Sequence, residues 1–245
     1  MNQYNIQVLD EYETIEKLQN GNCSFVRFGD GEFELVFNTG IHFFKSLVVG
    51  REIKVFNNGG FFLNRKLKAI LQSNDKKLLI GIPNVFDDGS EKKWKSQYFY
   101  NNRQRIADLL RKDIVYGSAF YTRYNSKDPN KDTLFQRIQQ IWEGKNIAII
   151  NFYPNIIEHE IFSNAKSVSF IRCKQRNAYG FFGVEYRKVF KKCQSSDADI
   201  LLCSAGPITN LLAYDLNASE KICIDIGQLA RIYDSSFGKE SMHLY

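Results

Sequence analysis

Short, almost wholly apolar runs alternate with helix-patterned segments along nearly the whole chain, and this alternation limits the fold more than composition does. Leu78–Ile82, Asn146–Asn151, Ile200–Cys203 and Ile222–Ile226 carry few polar residues within them. Strands buried on both faces read this way, whereas strands with one wet face alternate polar and apolar. Further strands are expected at Ser24–Phe28, Ile114–Tyr116 and Ser167–Ile171. Apolar residues at helical spacing predict helices over Asp10–Asn20, Gly31–Asn38, Phe61–Leu71, Glu91–Leu110, Thr133–Ile141, Ile156–Ala165, Val184–Lys192 and Ile208–Leu216. The pattern predicts an α/β fold: a mainly parallel sheet with helices on both faces. At 245 residues the chain suits one domain, residues 1–245. The polar stretch Asn125–Asp132 reads as a loop, and the tail after Tyr233 as partly ordered or frayed.

Composition narrows the classes. The apolar runs are too short to cross a bilayer, and the polar, acidic Met1–Glu13 is unlike a secretory signal. A net charge of +6 suits phosphate-bearing ligands or an anionic surface. No RNP, zinc-finger or basic-region motif supports nucleic acid as a partner. The five cysteines are odd in number and form no CxxC pair, which fits free thiols in a reducing cytoplasm. Peripheral attachment at the inner face of the membrane and the oligomeric state stay open. His42, His159 and His243 lack zinc-ligand spacing, and His159, between Glu158 and Glu160, reads as part of a solvated helix face.

The segment Val26-Arg27-Phe28-Gly29-Asp30-Gly31-Glu32-Phe33 is the densest in chemistry. A strand runs into a glycine-flanked turn and then a helix, so Arg27, Asp30 and Glu32 fall at a strand's C-terminal end. In open α/β sheets ligands bind at that edge. An Asp-x-Glu pair can offer hard oxygen ligands to a divalent ion, and Gly29 and Gly31 can permit a sharp turn and close approach of a ligand. The same residues also fit a plain helix start, with Asp30 as N-cap and Glu32 in the first turn. Arg27, inside a buried run, needs a partner, and Asp30 alone could supply it.

Four further constellations carry two readings each. Ser204-Ala205-Gly206-Pro207-Ile208-Thr209 joins a strand to a helix, so its amides could hold an anion, or Gly206 and Pro207 could serve turn geometry only. Asp225, followed by Ile226-Gly227, could bind a ribose or sugar hydroxyl, or accept from local backbone N–H groups. Arg123, in Tyr121-Thr122-Arg123-Tyr124, could clamp a phosphate or stack on a tyrosine at the surface. Asn177 could cap a helix or touch a ligand, and the aromatics of Trp94–Tyr100 could line a sugar site or simply pack.

Taken in order, these residues resemble the GT-D-type glycosyltransferase domain family over roughly residues 14–234. The resemblance rests on Arg27–Glu32, on Thr122-Arg123-Tyr124, and on Trp142 with Gly144 before Ile147–Ile150. It continues in Asn177–Tyr179, in Gly206-Pro207 with Leu212–Leu216, and in Asp225–Gly227. It implies a Rossmann-like GT-D-type fold and a metal-dependent enzyme that moves a sugar from a nucleotide-sugar donor, a UDP-sugar by expectation, to a glycan or glycoprotein acceptor. Asp30 and Glu32 would then hold Mn2+ or Mg2+ at the donor diphosphate. Arg27, Gly29, Gly31, Arg123, Gly206, Pro207 and Thr209 would meet the phosphates, and Asn177 and Asp225 the donor. Two departures stand out. Asn151-Phe152-Tyr153-Pro154-Asn155-Ile156 replaces an acidic-glycine start and a Gly-x-Gly-Asn-Asp-Leu segment, and Gln228 replaces a histidine. A metal-dependent phosphohydrolase and a non-catalytic nucleotide- or carbohydrate-binding module are the alternative readings.

Overall fold

The computed structural model describes residues 3–20, 22–37, 60–86, 97–123, 130–174 and 183–240. Within them lie strands β1 (Gln7–Val8), β2 (Ser24–Arg27), β3 (Leu78–Ile82), β4 (Val115–Ser118), β5 (Asn146–Asn151), β6 (Ser167–Arg172), β7 (Ile200–Cys203) and β8 (Ile222–Asp225). The helices are α1 (Glu11–Asn20), α2 (Asp30–Phe37), α3 (Gly60–Leu71), α4 (Gln97–Ala107), α5 (Lys131–Gln139), α6 (Val184–Gln194), α7 (Ile208–Asn217) and α8 (Leu229–Ser236). The strands form one eight-stranded sheet in the order β1-β4-β3-β2-β8-β7-β5-β6, and the pairings are parallel. The expected α/β, Rossmann-like architecture with helices on both faces is therefore the one adopted.

Two apolar cores, one on each face, make the sheet the buried middle layer. Val26, Ile80, Leu201 and Cys203 point to the core shared with α2, α3, α4, α6 and α7. Their strand neighbours Phe25, Leu79, Leu202 and Ile224 point to the core shared with α1, α5 and α8. Alternation of side chains across a strand produces this division, and it explains why the central strands are largely apolar on both faces. The aromatics at the start of α4 pack as expected: Phe99 meets Phe33 and Phe120 at 6.4 and 6.1 Å. Trp94 lies outside the described residues.

The order of the sheet fixes where a ligand can sit. From the C-terminal end of β2 the chain turns onto one face to form α2, while from the neighbouring β8 it turns onto the other to form α8. Adjacent strands whose loops leave in opposite directions open a crevice, the usual binding place in such sheets. Here that crevice lies between Arg27 and Asp225, the last residues of β2 and β8.

Three expectations need correction. Ile156–Ala165 is not an α-helix but two 3-10 turns, Pro154–Glu158 and Glu160–Phe162. His159 separates them in an extended conformation, and its Nδ1 accepts from the Ile161 amide at 3.2 Å. His159 is also buried rather than solvated, with Nε2 3.0 Å from Asp234 Oδ1. Because Nδ1 accepts, the proton sits on Nε2 and is donated to the carboxylate. This bond ties the segment after β5 to α8. Finally, α8 was not among the expected helices, and it carries the beginning of the tail after Tyr233 as ordered helix to Ser236.

Candidate functional site

Arg27 ends β2, and its backbone is held from both sides by one side chain of α7. Asn210 Oδ1 accepts from the Arg27 amide at 3.1 Å, and Asn210 Nδ2 donates to the Arg27 carbonyl at 2.9 Å. Asn210 is fully buried, so both bonds are shielded from water. The strand end cannot slide or turn, and the guanidinium is aimed along the crevice.

The turn that follows has a different logic from the simple helix start. Gly29 is the cap residue: its carbonyl accepts from the Phe33 amide at 3.0 Å, the first helical bond. Glu32, three residues on, reaches back so that Oε2 accepts from the Gly29 amide at 2.9 Å. This is the return half of a capping box. Asp30 is not the N-cap; it occupies the first helical position, exposed at the crevice rim, with Oδ1 accepting from the Gly31 amide at 3.0 Å. Neither Gly29 nor Gly31 has a positive φ. The turn does not require glycine for its backbone angles, as the sequence suggested. Space matters instead. A Cβ on Gly29 would stand 3.1 Å from Glu32 Oε2, whereas Gly31 faces open room along the crevice.

Asp225 completes the centre. Its Oδ1 lies 3.4 Å from Arg27 Nη2 and accepts from the Gly227 amide at 2.8 Å. Tyr121 donates its hydroxyl to the Asp225 carbonyl at 2.8 Å, and Ser204 donates to the Gly227 carbonyl at 2.5 Å. Arg27 pairs with this carboxylate rather than with Asp30 alone. Burial works against the guanidinium charge, but Asp225, Glu32 and Asp30 outweigh it and hold Arg27 above its ordinary range. Burial likewise pushes Glu32 and Asp225 up, and Arg27 only partly offsets this. One guanidinium among three carboxylates leaves the centre short of positive charge.

Gly227 is required by that arrangement. It sits at φ +49°, and a Cβ there would stand 2.0 Å from Arg27 Nη2 and 2.4 Å from Nη1. For Gly227→Ala we expect a loss of about 1–2 kcal/mol from the left-handed backbone, with a further loss of nucleotide affinity because Arg27 must leave its place. A urea melt and a nucleotide titration on the same sample check both.

The remaining expected residues fall out as follows. Arg123 is exposed on the crevice wall and stacks on Phe120, with its guanidinium 4.8 Å from the ring centroid, while the neighbouring Tyr124 lies outside the described residues. Gly206, at φ +65°, and Pro207 line the crevice before α7. Thr209 is buried, and its hydroxyl accepts from the Ala205 amide at 3.1 Å. It shapes the turn rather than facing a ligand. The Thr209 amide is taken by the Gly206 carbonyl at 2.8 Å, so among the described residues of this turn it is Gly206, which lines both lobes, that an anion would meet. Asn177 lies outside the described residues. Sequence reasoning missed Asn210, and it named Ser204 and Gly227 only as members of their turns, because the partners of all three lie far away along the chain.

The crevice has two lobes. The larger, about 660 Å³, is lined by Asp30, Gly31, Glu34, Phe120, Arg123 and Pro207 among others. The smaller, about 230 Å³, is lined by Asn151, Phe152, Tyr153, Lys174, Ser204 and Asp225 among others. Arg27, Glu32, Gly206 and Gln228 border both. The donor set fits a divalent ion. Glu32 offers a hard oxygen at the shared border and Asp30 one in the larger lobe beside it, and an ion would relieve the excess of carboxylate charge around Arg27. Among the described residues no three acidic, histidine or cysteine side chains are placed to hold one ion together, so other ligands would come from a phosphate or from water.

Comparison with known proteins places the fold in a family. A family model described as "Glycosyltransferase GT-D fold" matches residues 25–241. The "Probable glycosyl transferase Gly" of Streptococcus gordonii is 25% identical over 241 residues, covering 94% of this chain and 33% of the relative. "Glycosyltransferase GlyD" of Streptococcus pneumoniae serotype 4 is 23% identical over 239 residues, covering 94% of this chain and 27% of the relative. The chain thus spans about a third or less of these relatives. Among solved structures, a new glycosyltransferase from Streptococcus sanguinis superposes with TM-score 0.77 at 24% identity, covering 96% of this chain and 86% of that one. A domain of unknown function 1792 with a distinct glycosyltransferase fold gives TM-score 0.77 at 22% identity, covering 96% and 83%. With the family model spanning nearly the whole sheet and its crevice, the chain belongs to the glycosyltransferase GT-D fold family.

Proposed function

We propose that the protein is a metal-dependent glycosyltransferase that moves a sugar from a nucleotide-sugar donor, in the first instance a UDP-sugar, to a hydroxyl of a glycan acceptor. A surface glycoprotein, capsule or polysaccharide is the setting we favour. The observation that carries this reading is the cluster at the β2–β8 crevice: Arg27 fixed by Asn210 and Asp225, with Asp30 and Glu32 beside it on one turn. Five buried free cysteines support a reducing, cytoplasmic setting. Among the described residues no helix is long and apolar enough to cross a membrane.

In the proposed reaction the bond between the sugar C1 and the donor phosphate oxygen breaks, and its electron pair leaves with the nucleoside diphosphate. A new bond forms between C1 and the acceptor oxygen, whose proton passes to a base or to solvent. Asp30 and Glu32 would hold Mn2+ or Mg2+, which when bound supplies positive charge to the departing diphosphate. Arg27 and Arg123 add charge-assisted hydrogen bonds to the same group, and the Gly206 turn orients it. Asn210 and Gly227 keep Arg27 in place, so its charge costs no rearrangement when the leaving group develops its own.

A donor screen tests this. Purified protein is mixed with single nucleotide sugars and Mn2+, and free nucleotide is measured before and after chelation. We expect release from a UDP-sugar that falls at least 100-fold on chelation, in line with the loss of a main electrostatic contact. Release insensitive to chelation would overturn the metal role. Cleavage of simple phosphate esters with no preference for a nucleotide sugar would favour a phosphohydrolase.

A further inference from the structure

We infer that the smaller lobe is the acceptor subsite and that it selects a sugar carrying an anionic substituent, a carboxylate or a phosphate. This inference rests on the glycosyltransferase reading and extends it to the acceptor.

The two lobes differ in size and chemistry. The larger, at about 660 Å³, falls within the range of pockets that enclose a drug-sized ligand, roughly 300–1,000 Å³. It also holds Asp30, Gly31 and Arg123, the groups suited to a diphosphate. The smaller, at about 230 Å³, falls below that range and has none of the three. A nucleotide sugar therefore fits the larger lobe, with its reacting carbon near the shared border of Arg27, Glu32, Gly206 and Gln228. A single sugar ring is what the smaller lobe can take beyond that border.

Its lining suits such a ring. Phe152 and Tyr153 stand edge to face, with centroids 4.8 Å apart and planes at 90°. They follow Asn151, a buried residue whose Oδ1 accepts from the Tyr153 amide at 2.9 Å and so fixes the turn. Aromatic walls with a few placed polar groups are the common make-up of small-molecule sites. Charge then decides which sugar. At the floor, Arg27 is already matched by Asp225 at 3.4 Å. At the rim, two exposed cations follow one another at the end of β6. Lys174 lines the lobe, and Arg172 holds its guanidinium 5.5 Å from the Phe152 centroid. A neutral ring would leave these rim charges unused, whereas a carboxylate or phosphate on the ring gains a charge-assisted contact.

The test is a binding measurement by ligand-observed NMR at low salt with the intact protein. The probes are methyl glucoside, methyl glucuronide and methyl glucoside 6-phosphate. We expect at least one of the charged glycosides to bind tenfold or more tightly than the neutral one, and the better of the two names the substituent. Lys174→Glu is expected to abolish that preference and Lys174→Arg to keep it, with unchanged melting temperatures excluding misfolding. Equal binding of the three probes, or a preference that survives Lys174→Glu, overturns the inference. So does Tyr153→Ala weakening uridine binding rather than glycoside binding, because the lobe would then hold the nucleoside. UDP-sugar turnover by the unaltered protein, measured separately, reports on the glycosyltransferase reading itself.

Discussion

Asp30→Ala is expected to lower nucleotide release at saturating donor by about two to three orders of magnitude, the range seen when a preorganised electrostatic contact to the reacting group is removed. The fold should barely register the change. Asp30 is exposed at the first position of α2, and among the described residues its Oδ1 bonds only the adjacent Gly31 amide. Removing an acid from a helix N-terminus costs about 0.3–1 kcal/mol. Activity and stability should therefore separate, which a kinetic assay beside a thermal melt will show. Turnover within a few-fold of the unaltered protein would remove Asp30 from the metal site.

Arg27→Met should have the opposite profile, a large loss of stability that pH can reverse. It deletes the only guanidinium that faces Glu32 and Asp225 among the described residues and leaves these carboxylates without that partner, a change that typically costs about 3–5 kcal/mol. The pH dependence follows from the sign of the shifts. Burial already raises both carboxylates above their ordinary range in the folded state. Their ionisation therefore works against folding: the stability is fully present below the ordinary carboxylate values, near pH 4, and is lost as pH rises through the raised folded values. Without Arg27 the folded values rise further, so the penalty at pH 7.5 grows and shrinks again toward pH 5. Urea melts at these two values measure it. Equal destabilisation at both would mean that the loss comes from packing around the methionine, not from charge.

These two variants also show what was legible in the sequence. The strand runs and helical periods located the sheet, because burial on both faces leaves no polar alternation to confuse the reading. The chemistry of Arg27, Asp30 and Glu32 was visible for the same reason: charges beside a buried run need an explanation. What could not be read was pairing across the chain. Nothing near Arg27 in sequence announces Asn210 or Asp225, so the partner of the guanidinium was assigned too locally. Gly227 looked like one more turn residue until its missing side chain was seen to make room for Arg27. His159 was misplaced because Ile156–Ala165 has helical spacing, although Pro154 and an extended His159 divide it into two 3-10 turns. α8 did leave a signal in Leu229, Ala230, Tyr233 and Phe237, which share one helical face, but the polar residues between them obscured it.

The placement of β8 beside β2 has a cost during synthesis. β2 is made early, yet one of its two flanks stays open until Ile222–Asp225 has left the ribosome. For most of translation Phe25 and Val26 belong to an uncovered sheet margin, the kind of surface on which nascent chains stick to one another. Truncations that stop short of residue 222 should therefore be insoluble rather than merely inactive.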